Sequence, residues 1–161
     1  MLARSLTNES IRSLRWKWLR GATTNTADFG DPVDGATQYA LCLFSESDTD
    51  TRLLMSVDVP AGGTCRGDPC WQVLPRGGFT YQNRDKTSDG VARIVLKAGD
   101  QANAKVVIAG AGANLPIPLL PLDRDARMTV QFVNSEGECW EGFYPTPAYN
   151  RDTQYKAYST S

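Results

Sequence analysis

Apolar and polar residues alternate along this chain with a period of two more often than with a helical period. Leu14, Trp16 and Trp18 alternate with Arg15, Lys17 and Leu19, which predicts a strand from about residue 12, since successive side chains of an extended chain point to opposite faces. Residues 2–11, with Leu2 and Leu6 four apart, could open as a short helix; the rival is one basic amphipathic helix through Trp18, lying on a membrane or a partner. Two apolar runs, 39–44 and 52–59, flank a polar SESDTDT loop and predict a hairpin. Short strands follow at 71–74 and 79–81, then at 91–97 and 105–109, each pair divided by a glycine-bearing turn. The prolines of NLPIPLLPLD forbid both a helix and a central strand, so this segment must run extended over an edge or the top of the core. Segments 128–133 and 139–144 close the pattern as a hairpin about Asn134-Ser135-Glu136-Gly137.

Eight or nine short strands with no long helix predict an all-β fold, an antiparallel β-sandwich in the style of a jelly roll or an immunoglobulin domain. The 161 residues suit one domain. The expected division is an N-terminal arm over 1–11, a single sandwich over 12–144 and a polar tail over 145–161 that packs weakly.

Composition narrows the chemistry. The chain contains no histidine, which removes Ser-His-Asp, Cys-His and His-zinc arrangements. Lys plus Arg number 17 against 18 Asp plus Glu, a net charge of -1 that gives no whole-molecule field for nucleic acid or an anionic membrane. The charge is unevenly placed, because Arg4, Arg12, Arg15, Lys17 and Arg20 crowd the first twenty residues while Asp28, Asp31, Asp34, Glu46, Asp48 and Asp50 follow with no cation among them. A solvated strand beside a polar loop is the simpler account, an anion-binding arm beside a cation-binding loop the sharper one. No window of 18 apolar residues exists, so no membrane span is predicted.

Cys42, Cys65, Cys70 and Cys139 form an even set without metal-ligand spacing, and disulfides in an oxidising compartment are the expected use. Four cysteines allow three pairings; Cys65–Cys70 across CRGDPC and Cys42–Cys139 between two strand-like segments are favoured, with four reduced thiols in a cytosolic protein as the alternative. The first residues lack the apolar core and cleavage site of a secretory signal, so an extracytoplasmic address implies an export signal outside this chain.

Several motifs invite chemistry. Arg66-Gly67-Asp68 is the tripeptide that integrins recognise in a constrained loop, and closure by Cys65 and Cys70 would pre-organise it; a turn that needs Gly and Pro explains the same residues more simply. VVIAGAGANLP offers Gly110 and Gly112 after a strand, but Leu115 and the prolines at 116, 118 and 121 rule out a dinucleotide fingerprint. Asp28, Asp31 and Asp34 could offer oxygens to calcium, yet without EF-hand spacing. Glu138 and Glu141, three apart, fall on opposite faces of a strand and cannot pair for glycoside cleavage. Trp71 and Trp140 each follow a cysteine and are expected to pack against a disulfide. Trp16 and Trp18, in a strand otherwise lined by Arg and Lys, are the candidate ligand platform for sugar rings. Nothing calls for a cofactor or a metal.

The segments RWKWLRGATTNTADFGDP, YALCLF, VPAGGTCRGDPCW, GFTYQNRD, DGVARIVLKAGDQANAKVVIAGAGANLPIPLLPL and VQFVNSEGECWEGFY together resemble an uncharacterised β-rich module found near the C-termini of proteobacterial exported proteins, over residues 14–160. The resemblance implies a domain of a larger surface or secreted protein and carries over no catalytic residue. The expected function is a non-catalytic binding or adhesion module outside the cytoplasm, with a glycan, a surface polymer or another surface protein as partner. A structural spacer or capping domain is the alternative, and a carboxylate-dependent hydrolase the third.

Overall fold

The computed structural model describes residues 1–4 and 11–160. Among these are fourteen strands: β1 (Leu2–Arg4), β2 (Ser13–Gly21), β3 (Tyr39–Glu46), β4 (Thr51–Val59), β5 (Thr64–Cys65), β6 (Asp68–Pro69), β7 (Trp71–Val73), β8 (Gly78–Gln82), β9 (Val91–Lys97), β10 (Ala104–Ala111), β11 (Arg127–Asn134), β12 (Cys139–Tyr144), β13 (Pro147–Arg151) and β14 (Gln154–Ala157). An eight-stranded sheet in the order β13-β14-β1-β2-β10-β9-β8-β7 packs on a four-stranded sheet in the order β12-β11-β3-β4, and β5 and β6 form a separate two-residue hairpin. Every pairing is antiparallel. The fold is the expected all-β sandwich. The strands beyond the eight or nine foreseen are mostly pieces of two to five residues, too short for their alternation to stand out.

The ends of the chain depart from the expected division. Strand β1 joins β2 to β14, and the β13–β14 hairpin completes one side of the larger sheet. Tyr155 and Ala157 are buried, so residues 145–161 contribute two strands rather than a weakly packed tail. Of the expected helical arm, residues 5–10 lie outside the described residues, and residues 2–4 are strand.

The core follows from the alternation. Leu14 and Trp16 of β2, Ile94 and Leu96 of β9 and Val106 and Ile108 of β10 face Leu41 and Leu43 of β3 and Val130 and Phe132 of β11, all buried. An aromatic chain crosses between the layers. Phe132 stacks on Tyr39 at 5.3 Å and lies 6.4 Å from Trp16, while Tyr39 lies 5.0 Å from Trp71, which in turn sits 5.0 Å from Tyr81. Their polar tips are satisfied: Trp16 Nε1 donates to Tyr144 Oη (2.7 Å), Trp71 Nε1 to Pro60 O (2.9 Å) and Tyr39 Oη to Phe29 O (2.6 Å). The proline-rich segment lies across the core with Leu115, Ile117 and Leu122 turned in. Its backbone is held at Leu122, whose N–H donates to Asn150 Oδ1 and whose carbonyl accepts from Asn150 Nδ2.

Of the two expected disulfides one is formed. Cys65 and Cys70 are bonded, with Cα atoms 5.0 Å apart. Cys42 and Cys139 are free, which corrects the expected pairing. Cys42 stands opposite Gln131 and Cys139 opposite Val133, so strand β11 runs between them. Two inter-strand spacings separate their strands by roughly 9–10 Å, beyond the Cα reach of a disulfide.

Candidate functional site

The expected aromatic platform is not available. Trp16 is fully buried beneath Tyr144 and beside Phe132, and Trp18 is half-buried with its ring over Gly21, where an added Cβ would fall inside it. Both lie on the inner side of β2 with Leu14, because the cations of that strand take the solvent side. Trp71 and Trp140 are buried as well, and Trp140 stacks on Phe29 (5.0 Å) rather than on a disulfide.

Arg66, Gly67 and Asp68 sit at the tip of the disulfide-closed hairpin, with Arg66 and Gly67 at φ of 54° and 91°. Arg66 is not held out for a partner: its Nε and Nη2 both donate to Asp85 Oδ1, at 2.8 and 2.6 Å. That contact holds the Asp85 carboxyl below its ordinary range. The acidic loop is likewise occupied by its own backbone. Asp31 Oδ1 accepts from the Asp34 and Val33 amides, which lower its carboxyl's pKa, and Asp28 Oδ2 accepts from the Asn25 amide at the start of the 3-10 turn Thr26–Phe29. No group of three or more His, Cys, Asp or Glu side chains with metal-binding geometry occurs among the described residues.

What the fold assembles instead is a basic face. The eight strands of the larger sheet contain no Asp or Glu. Alternation turns their apolar residues inward, so Arg15 and Lys17 (β2), Arg93 and Lys97 (β9), Lys105 (β10) and Lys156 (β14) are left on the outer side. None of these six makes a salt bridge to a described residue. Four of them, Arg15, Lys17, Arg93 and Lys105, surround an apolar strip of Leu19, Val95, Val107 and Ala109 in a shallow depression of about 320 Å³. A second depression of about 440 Å³ continues from it past Arg15, Lys17 and Leu19 to Lys156 and Tyr158. Lys156 Nζ lies 5.1 Å from the centre of the exposed Tyr158 ring.

The register sets the cations in a row. Lys156 stands opposite Leu2, Leu2 opposite Arg15, Arg15 opposite Ala109, and Ala109 opposite Arg93. Every second strand from β14 to β9 therefore presents one cation in this row. The sequence places Arg15, Lys17, Arg93, Lys97 and Lys105 on strands without bringing those strands to one face, and it leaves Lys156 in a polar tail. The polar positions of the alternating run 91–97 are the available signal, and which strands lie beside β2 is not written in any one segment.

No family model matches this chain, and neither a curated protein nor a solved structure is significantly similar to it.

Proposed function

We propose that this chain is a non-catalytic binding module that meets a glycan or other surface polymer through the outer face of its eight-stranded sheet. The single observation that carries this reading is the carboxylate-free array of cations, none in a salt bridge to a described residue, around an apolar strip. Such an open face suits an extended ligand, since a strip of small aliphatic side chains accepts the C–H faces of sugar rings while the cations fix polar substituents. The module belongs outside the cytoplasm as a domain of an exported surface protein, a placement supported by the Cys65–Cys70 disulfide. No helix among the described residues is long and apolar enough to cross a membrane.

An array of envelope and extracellular polysaccharides, probed with the wild type and with a Lys17→Glu, Lys105→Glu variant, tests this reading. At least one polymer should retain the wild type and lose the variant. A blank array sinks the proposal, and a signal that survives the double reversal moves the site elsewhere. The inward turn of Trp16, Trp71 and Trp140 favours a second reading, a structural spacer, for which the array stays blank.

A further inference from the structure

The row of cations carries the ligand's chemistry one step further, resting on the reading that this face binds a polymer. We propose that the ligand is a linear acidic glycan with one anionic group on every second sugar, laid across the strands along the row Lys156–Arg15–Arg93. Lys156 and Arg15 are separated by one intervening strand, as are Arg15 and Arg93. Two inter-strand spacings put successive cations roughly 9–10 Å apart, about the length of a disaccharide.

Between Arg15 and Arg93 the row presents Ala109, with Val107 and Val95 beside it on the next row. A sugar without charge can rest there at no desolvation cost to a buried polar group. At the β14 end the row continues to Tyr149, which stands opposite Lys156 and is exposed, with the Arg151 guanidinium 5.2 Å from its ring centre as a further cation beside the path.

The spacing separates this ligand from other polyanions. Duplex DNA carries about one charge per 1.7 Å of axis, far denser than the one cation per two strands along this row. Its grooves admit a protruding helix or ribbon, whereas the cations of this row stand on strands within the sheet. An anionic bilayer would call for a cluster of apolar side chains to insert, and Leu19 is the one large aliphatic residue of the strip that is more than half exposed. The absence of Asp and Glu from all eight strands removes repulsion along the whole path.

Affinity chromatography and calorimetry of the full chain test the proposal. The probes are sodium hyaluronate (a uronate on alternate sugars), polygalacturonate (a uronate on each sugar), neutral pullulan, duplex DNA and phosphatidylglycerol vesicles. Hyaluronate should bind most tightly, with affinity falling as salt rises. An Arg15→Gln, Arg93→Gln variant should weaken it about tenfold and flatten the salt dependence, since two exposed charge contacts are lost. Lys156→Gln alone should do so by a smaller factor. Arg66→Gln, off the face, should leave binding unchanged, and equal melting temperatures would show that all variants fold.

Tighter binding of polygalacturonate, DNA or vesicles overturns the proposal, as does hyaluronate binding indifferent to Arg15 and Arg93. Pullulan bound as well as hyaluronate, and lost in Lys17→Glu, Lys105→Glu, overturns the acidic ligand while leaving the binding face intact. Retention of none of the probes overturns the acidic glycan, and only a blank polysaccharide array as well removes the binding face with it.

Discussion

Phe132 contacts rings from both layers, with Tyr39 at 5.3 Å, Trp140 at 5.9 Å and Trp16 at 6.4 Å. Its truncation to Ala should cost about 3–5 kcal/mol, because the three large rings around it cannot collapse into the space left. A urea titration would show this as a fall in midpoint at nearly constant slope. Tyr155 is the opposite case. Its ring is buried, but its hydroxyl has no hydrogen-bond partner among the described residues. Tyr155→Phe should therefore be neutral or stabilising by up to about 1–2 kcal/mol, as the desolvation cost of an unpaired hydroxyl disappears; a loss of more than that would show that the hydroxyl is paired in solution. Phe132 falls on the apolar beat of a predicted strand, so its burial was legible, whereas Tyr155 lies in a segment that reads as a polar tail, and its burial was not. The pairing state of a buried hydroxyl depends on strands distant in sequence, and was not.

At the scale of the element, the CRGDPC hairpin is defined by covalent closure and by turn chemistry. Cysteine spacing and the Gly and Pro between them pointed to this element, and the structure bears out the bridge. Its loop is short, so replacing both Cys65 and Cys70 by Ser should cost only about 2 kcal/mol in the chain-entropy account, seen as a lower melting temperature with the sheets retained. Free-thiol titration of the unfolded, unreduced chain should find the two thiols of Cys42 and Cys139; a count of none or four would contradict this pattern. That second pairing was misjudged because two strand-like cysteine segments suggest a bridge, whereas bridging needs facing positions, and β11 lies between them. Strand β8 shows a different dependence. Gly78 has φ of 102°, and a Cβ there would meet Leu96 O at 1.9 Å. Gly78→Ala should thus lose at least about 1–3 kcal/mol from backbone conformation alone and loosen the β8–β9 pairing.

At the scale of the molecule, the buried phenols tie stability to alkaline pH. Burial raises the Tyr155 pKa to about 12, and burial likewise raises Tyr39 and Tyr144 from the ordinary value of 10.0. When the folded pKa lies above the unfolded one, the unfolded chain releases its protons first. The associated stability is complete below about pH 10 and declines as pH rises toward 12. Chemical denaturation at intervals from pH 8 to pH 12 should show a falling midpoint above pH 10. Tyr155→Phe should make that fall shallower, and an unchanged slope would show that Tyr155 does not contribute to it. Charge segregation belongs to this scale too. A net charge of -1 argues against attraction of polyanions from afar, yet the larger sheet gathers cations on one face and leaves the carboxylates to the loops and the smaller sheet.

The amino-acid order determined the longer strands between residues 12 and 144, because a period of two, glycine-bearing turns and proline punctuation are local properties read over five to ten residues. It also determined which cysteines could close a tight loop and which catalytic chemistries lack their histidine. Only the tertiary structure decided which side of β2 faces solvent and that Trp16 belongs to the core rather than to a ligand. It also decided which strands stand beside one another, and with that the separation of Cys42 from Cys139 and the alignment of Lys156, Arg15 and Arg93 in one row. Strand order is set by packing two layers across the whole chain, so residues separated by more than sixty positions become neighbours through contacts that no single stretch encodes.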